Sequence, residues 1–135
     1  MALSLKDSPM KDHTVSERIR FIVHQNKQVL LVDCSSCSAR QIENIARTVP
    51  DVITAQPRSS VLVLVDFTGA SFDQEAFRAL KETLVFDKPY IKRSAWIGAA
   101  AFSQEFRQEL VAFSRRELPD FGSRNEALAW LVVGD

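Results

Sequence analysis

Cysteine is scarce. Two residues, Cys34 and Cys37, in a chain of 135 do not make the disulfide framework of a small secreted domain. None is needed, since one domain of this length buries roughly two thirds of its unfolded surface without staples. An excess charge of either sign is equally absent. The 17 Lys and Arg balance the 17 Asp and Glu, so no overall field draws the chain to nucleic acid or to an anionic membrane. No apolar run approaches the ~20 residues of a membrane-spanning helix. The opening residues, Met1-Ala2-Leu3-Ser4-Leu5-Lys6-Asp7, hold no basic stretch followed by an apolar core. A cytoplasmic protein is the expectation, with no nucleic-acid partner and no membrane insertion. There is no Gly-rich phosphate loop, no Gly-x-Ser-x-Gly elbow and no Ser/His/Asp set, so the common enzyme signatures and a cofactor are not expected. Two histidines, His13 and His24, lack the paired spacing that structural zinc needs alongside two cysteines, and no metal is expected either.

What the chain does have is a continuous aliphatic run, Val61-Leu62-Val63-Leu64-Val65, ending at Asp66. Five such residues without polar alternation suit a strand covered on both faces by helices. Thr68 and Gly69 then predict a tight turn. Ser71, three residues before Gln74, has the spacing of a capping box, and the stripe Phe72, Ala76, Phe77, Leu80 and Leu84 predicts an amphipathic helix with Asp73, Glu75, Arg78, Lys81 and Glu82 on its wet side. In open α/β sheets, ligands and partners favour the carboxyl ends of strands, so this turn is the leading candidate for a working surface.

Around this centre the other elements follow in order. Residues 1 to about 15 are polar and aperiodic, a loose arm with at most a short edge strand. Arg18 to His24 and Val29 to Asp33 predict a hairpin across residues 25–28, its first arm at the sheet edge. Ser38 with Gln41 predicts another capping box, opening a helix with the stripe Ile42, Ile45, Ala46 and Val49 that Pro50 ends or bends. Ser94 to Ala100 reads as a buried strand whose small terminal residues admit other backbone. Ser103 opens a third helix with Phe106, Leu110 and Phe113 inward and Arg115-Arg116 in its last turn, opposing the helix dipole. Residues 118–121 form a connector or short edge strand. Ser123 and Glu126 cap a last helix that packs through Ala127, Trp130 and Leu131. The predicted order is β-β-α-β-α-β-α-(β)-α, an α/β fold with a mixed sheet of four to five strands flanked by about four helices.

The chain from residue 16 to 135 thereby resembles the SpoIIAA-like, STAS/SEC14-type family of small bacterial proteins. The resemblance rests on Leu64-Val65-Asp66-Phe67-Thr68-Gly69, on Lys88-Pro89-Tyr90-Ile91-Lys92-Arg93-Ser94-Ala95, and on Phe121 with Glu126-Ala127-Leu128-Ala129-Trp130-Leu131, in that order and spacing. It implies one domain related to the anti-sigma-factor antagonist fold, a phosphorylation-switched binding module. The switch motif there is Asp-Ser-x-Gly at the start of the helix after the central strand. Here the place reads Asp73-Gln74-Glu75-Ala76, so the Asp is kept while Ser and Gly are replaced, leaving Thr68 and Ser71 as the neighbouring hydroxyls.

The reading is a non-enzymatic module that docks a protein partner or a small ligand at the rim formed by Asp66, Thr68, Gly69, Ser71 and Asp73. A homodimer is compatible with it. Ser71 is also simply a good helix cap. Lys88, Tyr90, Lys92 and Arg93 make a compact cationic segment suited to an anion or acidic partner, or else an ordinary solvated strand entrance at the opposite rim. Cys34-x-x-Cys37, between a strand and a helix, is where a thiol-disulfide protein places its redox pair. Two incidental turn cysteines among serines are the plainer reading, since no Pro stands just before a strand to face the thiols. Trp96, Trp130 and the phenylalanines suit either a core or the lining of a cavity for a lipid or other apolar ligand.

Overall fold

The computed structural model describes residues 15–133; the expected arm, with His13, lies outside the described residues apart from Val15. Strand β1, Ile19–His24, and strand β2, Lys27–Asp33, pair antiparallel. The hairpin turn is tighter than the spacing predicts, because Lys27 pairs with His24 and Gln28 with Val23. Only Gln25 and Asn26 remain in the corner, both at positive φ, 51° and 66°, the two-residue geometry whose twist matches that of the flanking strands.

The chain then alternates. Helix α1, Ala39–Ile53, leads to strand β3, Val61–Asp66, and helix α2, Gln74–Asp87, to strand β4, Ile91–Ile97. Helix α3, Gln104–Ser114, leads to the two-residue strand β5, Asp120–Phe121, and helix α4, Arg124–Val132, ends the described chain. The sheet order is β1-β2-β3-β4-β5, parallel from β2 onward. This is the expected α/β mixed sheet, with β3 in the middle. Val61 and Val63 join the core cluster of α1, α2 and α3, whereas Leu62 and Leu64 join that of α4. The aliphatic run therefore lacks alternation because each face has its own apolar cover.

Several local expectations give way. Pro50 does not end α1, which runs one turn further with Thr54 donating to the Pro50 carbonyl. Proline removes the bond its own N–H would have made and crowds the carbonyl four residues back, but its own carbonyl still accepts from the turn that follows. Strand β4 starts at Ile91 and stops at Ile97, since Gly98 turns left-handed (φ 74°) and Ala99–Ala101 form a 3₁₀ turn. Arg115 and Arg116 lie beyond α3, because Arg115 takes φ 56° and closes the helix with its N–H on the Val111 carbonyl. Phe113 is 56% exposed. Only the Leu110 and Ser114 side of α3 turns inward, and the Lys81 ammonium lies 4.5 Å over the Phe113 ring. Of the last capping box only half forms, since the Glu126 carboxylate accepts from the Gly122 N–H.

Arg116 and Asp87 bring charge into the larger core. Arg116 donates to the Leu84 carbonyl at 3.0 Å and to the Ser94 hydroxyl. Asp87 accepts from the Thr83 hydroxyl at 2.9 Å through Oδ2. Burial pushes the Asp87 carboxyl up to about 6, although the Thr83 hydroxyl and the Arg116 charge pull the other way. The folded protein thus holds a proton on Asp87 that the unfolded chain releases near pH 4, so this group's stabilisation is complete below pH 4 and is lost as pH rises through about 6. Between those limits the unfolding free energy of Asp87→Asn, measured by denaturant titration at each pH, should gain on that of the wild type by on the order of 2 kcal/mol. Parallel pH profiles for the two proteins would contradict the assignment.

Candidate functional site

The parallel register sets Asp33 beside Asp66 at the carboxyl ends of β2 and β3. Asp66 is buried, and both its oxygens are used: Oδ1 accepts from the Thr68 N–H at 2.9 Å and Oδ2 from Arg124 Nε at 3.0 Å. Asp33 Oδ1 accepts from the Ser35 N–H at 3.0 Å and the Ser35 hydroxyl at 2.5 Å. Arg124 Nη2 stands 3.5 Å and Arg18 Nη1 3.8 Å from the same oxygen. Burial pushes the Asp33 carboxyl up, but the Ser35 bonds and the Arg124 and Arg18 charges together outweigh it, and its pKa falls below the usual value. The network of Arg18, Asp33 and Arg124 escapes sequence reasoning. The available signal was that two predicted neighbouring strands both end in Asp, which in parallel register must have cations close by.

Above this network stands the predicted corner. Ala70 N–H closes the Thr68-Gly69 turn on the Phe67 carbonyl at 3.0 Å, with Gly69 at φ 71°. The loop after β2 braces it from one side: Ser36 N–H donates to the Thr68 carbonyl at 2.7 Å, and Ser71 N–H donates to the Cys37 carbonyl at 3.0 Å. The loop after β4 braces it from the other. Gly98 lies so close that a Cβ there would stand 2.6 Å from the Thr68 nitrogen, which is the backbone approach the small residues predicted. Beneath the corner the Phe67 ring meets Trp96 at 5.0 Å, Phe102 at 4.9 Å and Phe72 at 5.6 Å, the first two edge-on. The loops after β2, β3 and β4 therefore converge at this rim, and Thr68, Gly69, Ser71 and Asp73 are exposed.

Two expected roles change. Asp73, not Ser71, is the N-cap of α2, its carboxylate accepting from the Ala76 N–H at 2.8 Å. Ser71 lies two residues too early, its own N–H tied to the Cys37 carbonyl. A phosphate on Ser71 would thus meet the Asp73 carboxylate rather than an open helix terminus.

The cationic segment does not gather into one anion site. Arg93 donates to the carbonyls of Trp130 (3.1 Å), Leu131 (3.5 Å) and Val133 and lies 5.5 Å from the Trp130 ring centre, closing the end of α4. Lys88 donates to the Arg115 carbonyl at 3.2 Å, and Tyr90 faces Arg58 at 5.9 Å. Lys92 is exposed on the strand between them. Cys34 and Cys37 are both buried free thiols. Burial pushes both up; the charge of Asp33 adds to this at each, and Arg18 only partly opposes it. A nucleophilic thiolate needs the opposite environment.

Among the described residues no group of three or more His, Cys, Asp or Glu is placed to hold a metal ion, and no helix is long and apolar enough to cross a membrane. No family model, curated protein or solved structure matches the chain.

The close approach at Gly98 carries its own test. Gly69→Ala adds a left-handed strain of about 1–2 kcal/mol and a Cβ that meets only the Ser36 hydroxyl at 3.3 Å. Gly98→Ala adds the same strain plus a clash with backbone. Denaturant midpoints should therefore fall clearly further for Gly98→Ala than for Gly69→Ala. Equal losses would show that the corner is free to shift.

Proposed function

We propose that this chain is a SpoIIAA-like binding module that docks a protein partner on the carboxyl rim of its sheet through the corner of Thr68, Gly69 and Ser71. The observation that carries the reading is the contrast at that rim. The hydroxyl-bearing corner is exposed and braced from both sides, whereas the nearby carboxylates are tied to arginines and backbone amides. Groups already committed to structure are poor acids, bases or nucleophiles. A braced corner, by contrast, loses little conformational freedom when a partner covers it.

The topology favours a protein over a small molecule at this rim. Strand order follows chain order without reversal, so the switch point that opens a ligand crevice in doubly wound sheets does not arise. The carrier alternative has little room: the larger core contains a cavity of about 40 Å³, against the ~300 Å³ or more of an ordinary ligand pocket. The thiol-disulfide alternative has the wrong electrostatics, with burial raising both thiols. Thr68 and Ser71 act here as docking contacts, and Asp73 as the cap that aims the start of α2.

Two measurements test this. Affinity capture from the host lysate, run beside a Thr68→Glu/Ser71→Glu variant whose circular dichroism and unfolding midpoint match the wild type, should lose at least ten-fold of a specific co-purifying protein. Equal recovery by both baits sinks the rim assignment. In a separate experiment, alkylation of native protein at pH 8 should be slow at Cys34 and Cys37 and become fast only in denaturant. Prompt native alkylation at both positions would restore the redox reading.

A further inference from the structure

Six large apolar side chains are exposed among the described residues: Val23 (74%), Val85 (43%), Phe86 (61%), Val111 (39%), Phe113 (56%) and Val133 (62%). Their places in the fold are not scattered. Strands β2 to β5 are parallel, so the helices between them run back the other way, and β1, antiparallel to β2, runs with the helices. Each of the six lies in the last turn of a helix, one residue past it, or in the last two residues of β1. All six therefore stand at the amino rim, where β2, β3 and β4 begin, opposite the Thr68-Gly69 corner. Polar contacts tie this end together: Lys88 after α2 donates to the Arg115 carbonyl, Arg93 to the Val133 carbonyl, and the Ser60 N–H to the Tyr90 carbonyl. Charge segregates the same way. Arg58, Lys88, Lys92 and Arg115 are exposed at or beside this rim and Lys27 and Arg93 are half-buried there, against two exposed carboxylates, Asp51 and Glu117. Asp33, Asp66, Asp73 and Asp120 stand at the other rim. The even charge of the whole chain thus conceals one end that is both cationic and apolar.

We propose that the amino rim is a docking face for an anionic lipid bilayer, with Phe86 and Phe113 entering the headgroup layer and the surrounding cations meeting lipid phosphates and carboxylates. The core of a protein interface is an apolar patch depleted of charge. Here the apolar groups come singly from β1, α2, α3 and the end of α4, and cations stand among them: Lys81 lies 4.5 Å over the Phe113 ring, and Lys88 follows Phe86 by two residues. A bilayer surface accepts that arrangement, because separate apolar tips each enter it while long Lys and Arg side chains keep their charged heads at the phosphates. The same cations, which do not gather into one anion site, suit a charge spread over a plane. Six of them lie within the about four to eight that recognise anionic lipid. This is docking on the surface, since no helix among the described residues is long and apolar enough to cross a membrane. A chain held by its amino rim points its carboxyl rim away from the bilayer. The proposed partner site stays open in that orientation, and either assignment stands or falls without the other.

Flotation of the full chain with vesicles tests this, using phosphatidylcholine mixed with phosphatidylserine against phosphatidylcholine alone. The wild type should float with the anionic vesicles, bind the neutral ones at least about five-fold less, and be released by added salt. Each Lys or Arg near such a surface strengthens binding about five-fold, so Arg58→Glu/Lys92→Glu should lose about ten-fold or more. Phe86→Ser/Phe113→Ser, at two side chains more than half exposed, should keep the unfolding midpoint and lose as much through the missing apolar contact. Arg40→Glu/Arg78→Glu makes the same charge change at exposed positions of α1 and α2 away from this rim, and should stay within about two-fold of the wild type. Equal losses for the two glutamate pairs overturn the proposal, because net charge alone would then explain binding. Full binding by both rim variants overturns it too. On the wild-type chain alone, failure to float, or equal flotation with both lipids, does the same. A wild type that does not float but sediments as a dimer that Phe86→Ser/Phe113→Ser dissolves overturns it in favour of a second copy of this chain.

Discussion

Strand β3 has to be dry on both sides, and most of the architecture follows from that. Its aliphatic residues point alternately to opposite faces, so a helix layer on one face alone would leave Leu62 and Leu64 in water. The crossovers from β2 to β3, β3 to β4 and β4 to β5 all advance in one direction across the sheet. Crossovers of one hand that advance one way land on one face, and α1, α2 and α3 share a single core cluster accordingly. The second face waits for α4, the last helix described, which covers it with Ala127, Leu128, Leu131 and Val132.

A single nine-residue helix that must cover half a sheet needs to be held at both ends, and the charges that looked functional in the sequence do this. Arg124 opens α4, an unfavourable place for a cation beside the positive end of the helix dipole, but Asp66 and Asp33 receive it at the ends of β3 and β2. At the other end Arg93 collects the last carbonyls, which is where a cation is welcome. One arginine of the proposed anion segment and one aspartate of the proposed rim thus belong to the docking of one helix. Apart from Asp73, which caps α2, what remains outward on the corner is uncharged: a threonine, a glycine and a serine that their neighbours hold still.

Legibility in the sequence tracked how local the governing interaction was. The covered strand, the Thr68-Gly69 turn and the α1 stripe each depend on residues close in the chain or on one period, and each was readable. The exchange of Ser71 for Asp73 as the cap was not, because it turns on a hydrogen bond from Ser71 to Cys37, 34 positions away. The end of α3 was misread for a similar reason. Arg115 adopts a left-handed conformation without being glycine, and Arg116 leaves the helix for partners on α2 and β4. Charge pairing across the sheet was invisible in the same way, since register decides it.

That excursion of Arg116 has a consequence for how the core is organised. A guanidinium taken out of water loses more solvation than two neutral acceptors return, so Leu84 and Ser94 alone are weak compensation. The nearby Asp87 charge lowers that cost, yet placing the carboxylate in the same apolar surroundings raises one of its own, visible in the upward shift of its pKa. Each group is tolerable because of the other, and neither is satisfied by it, since Oδ1 of Asp87 is buried without a hydrogen-bond partner among the described residues. Replacing both by aliphatic residues of similar volume would remove both costs. A core that retains the pair therefore gives up cohesion for a polar contact that ties the segment after α3 to α2 and β4.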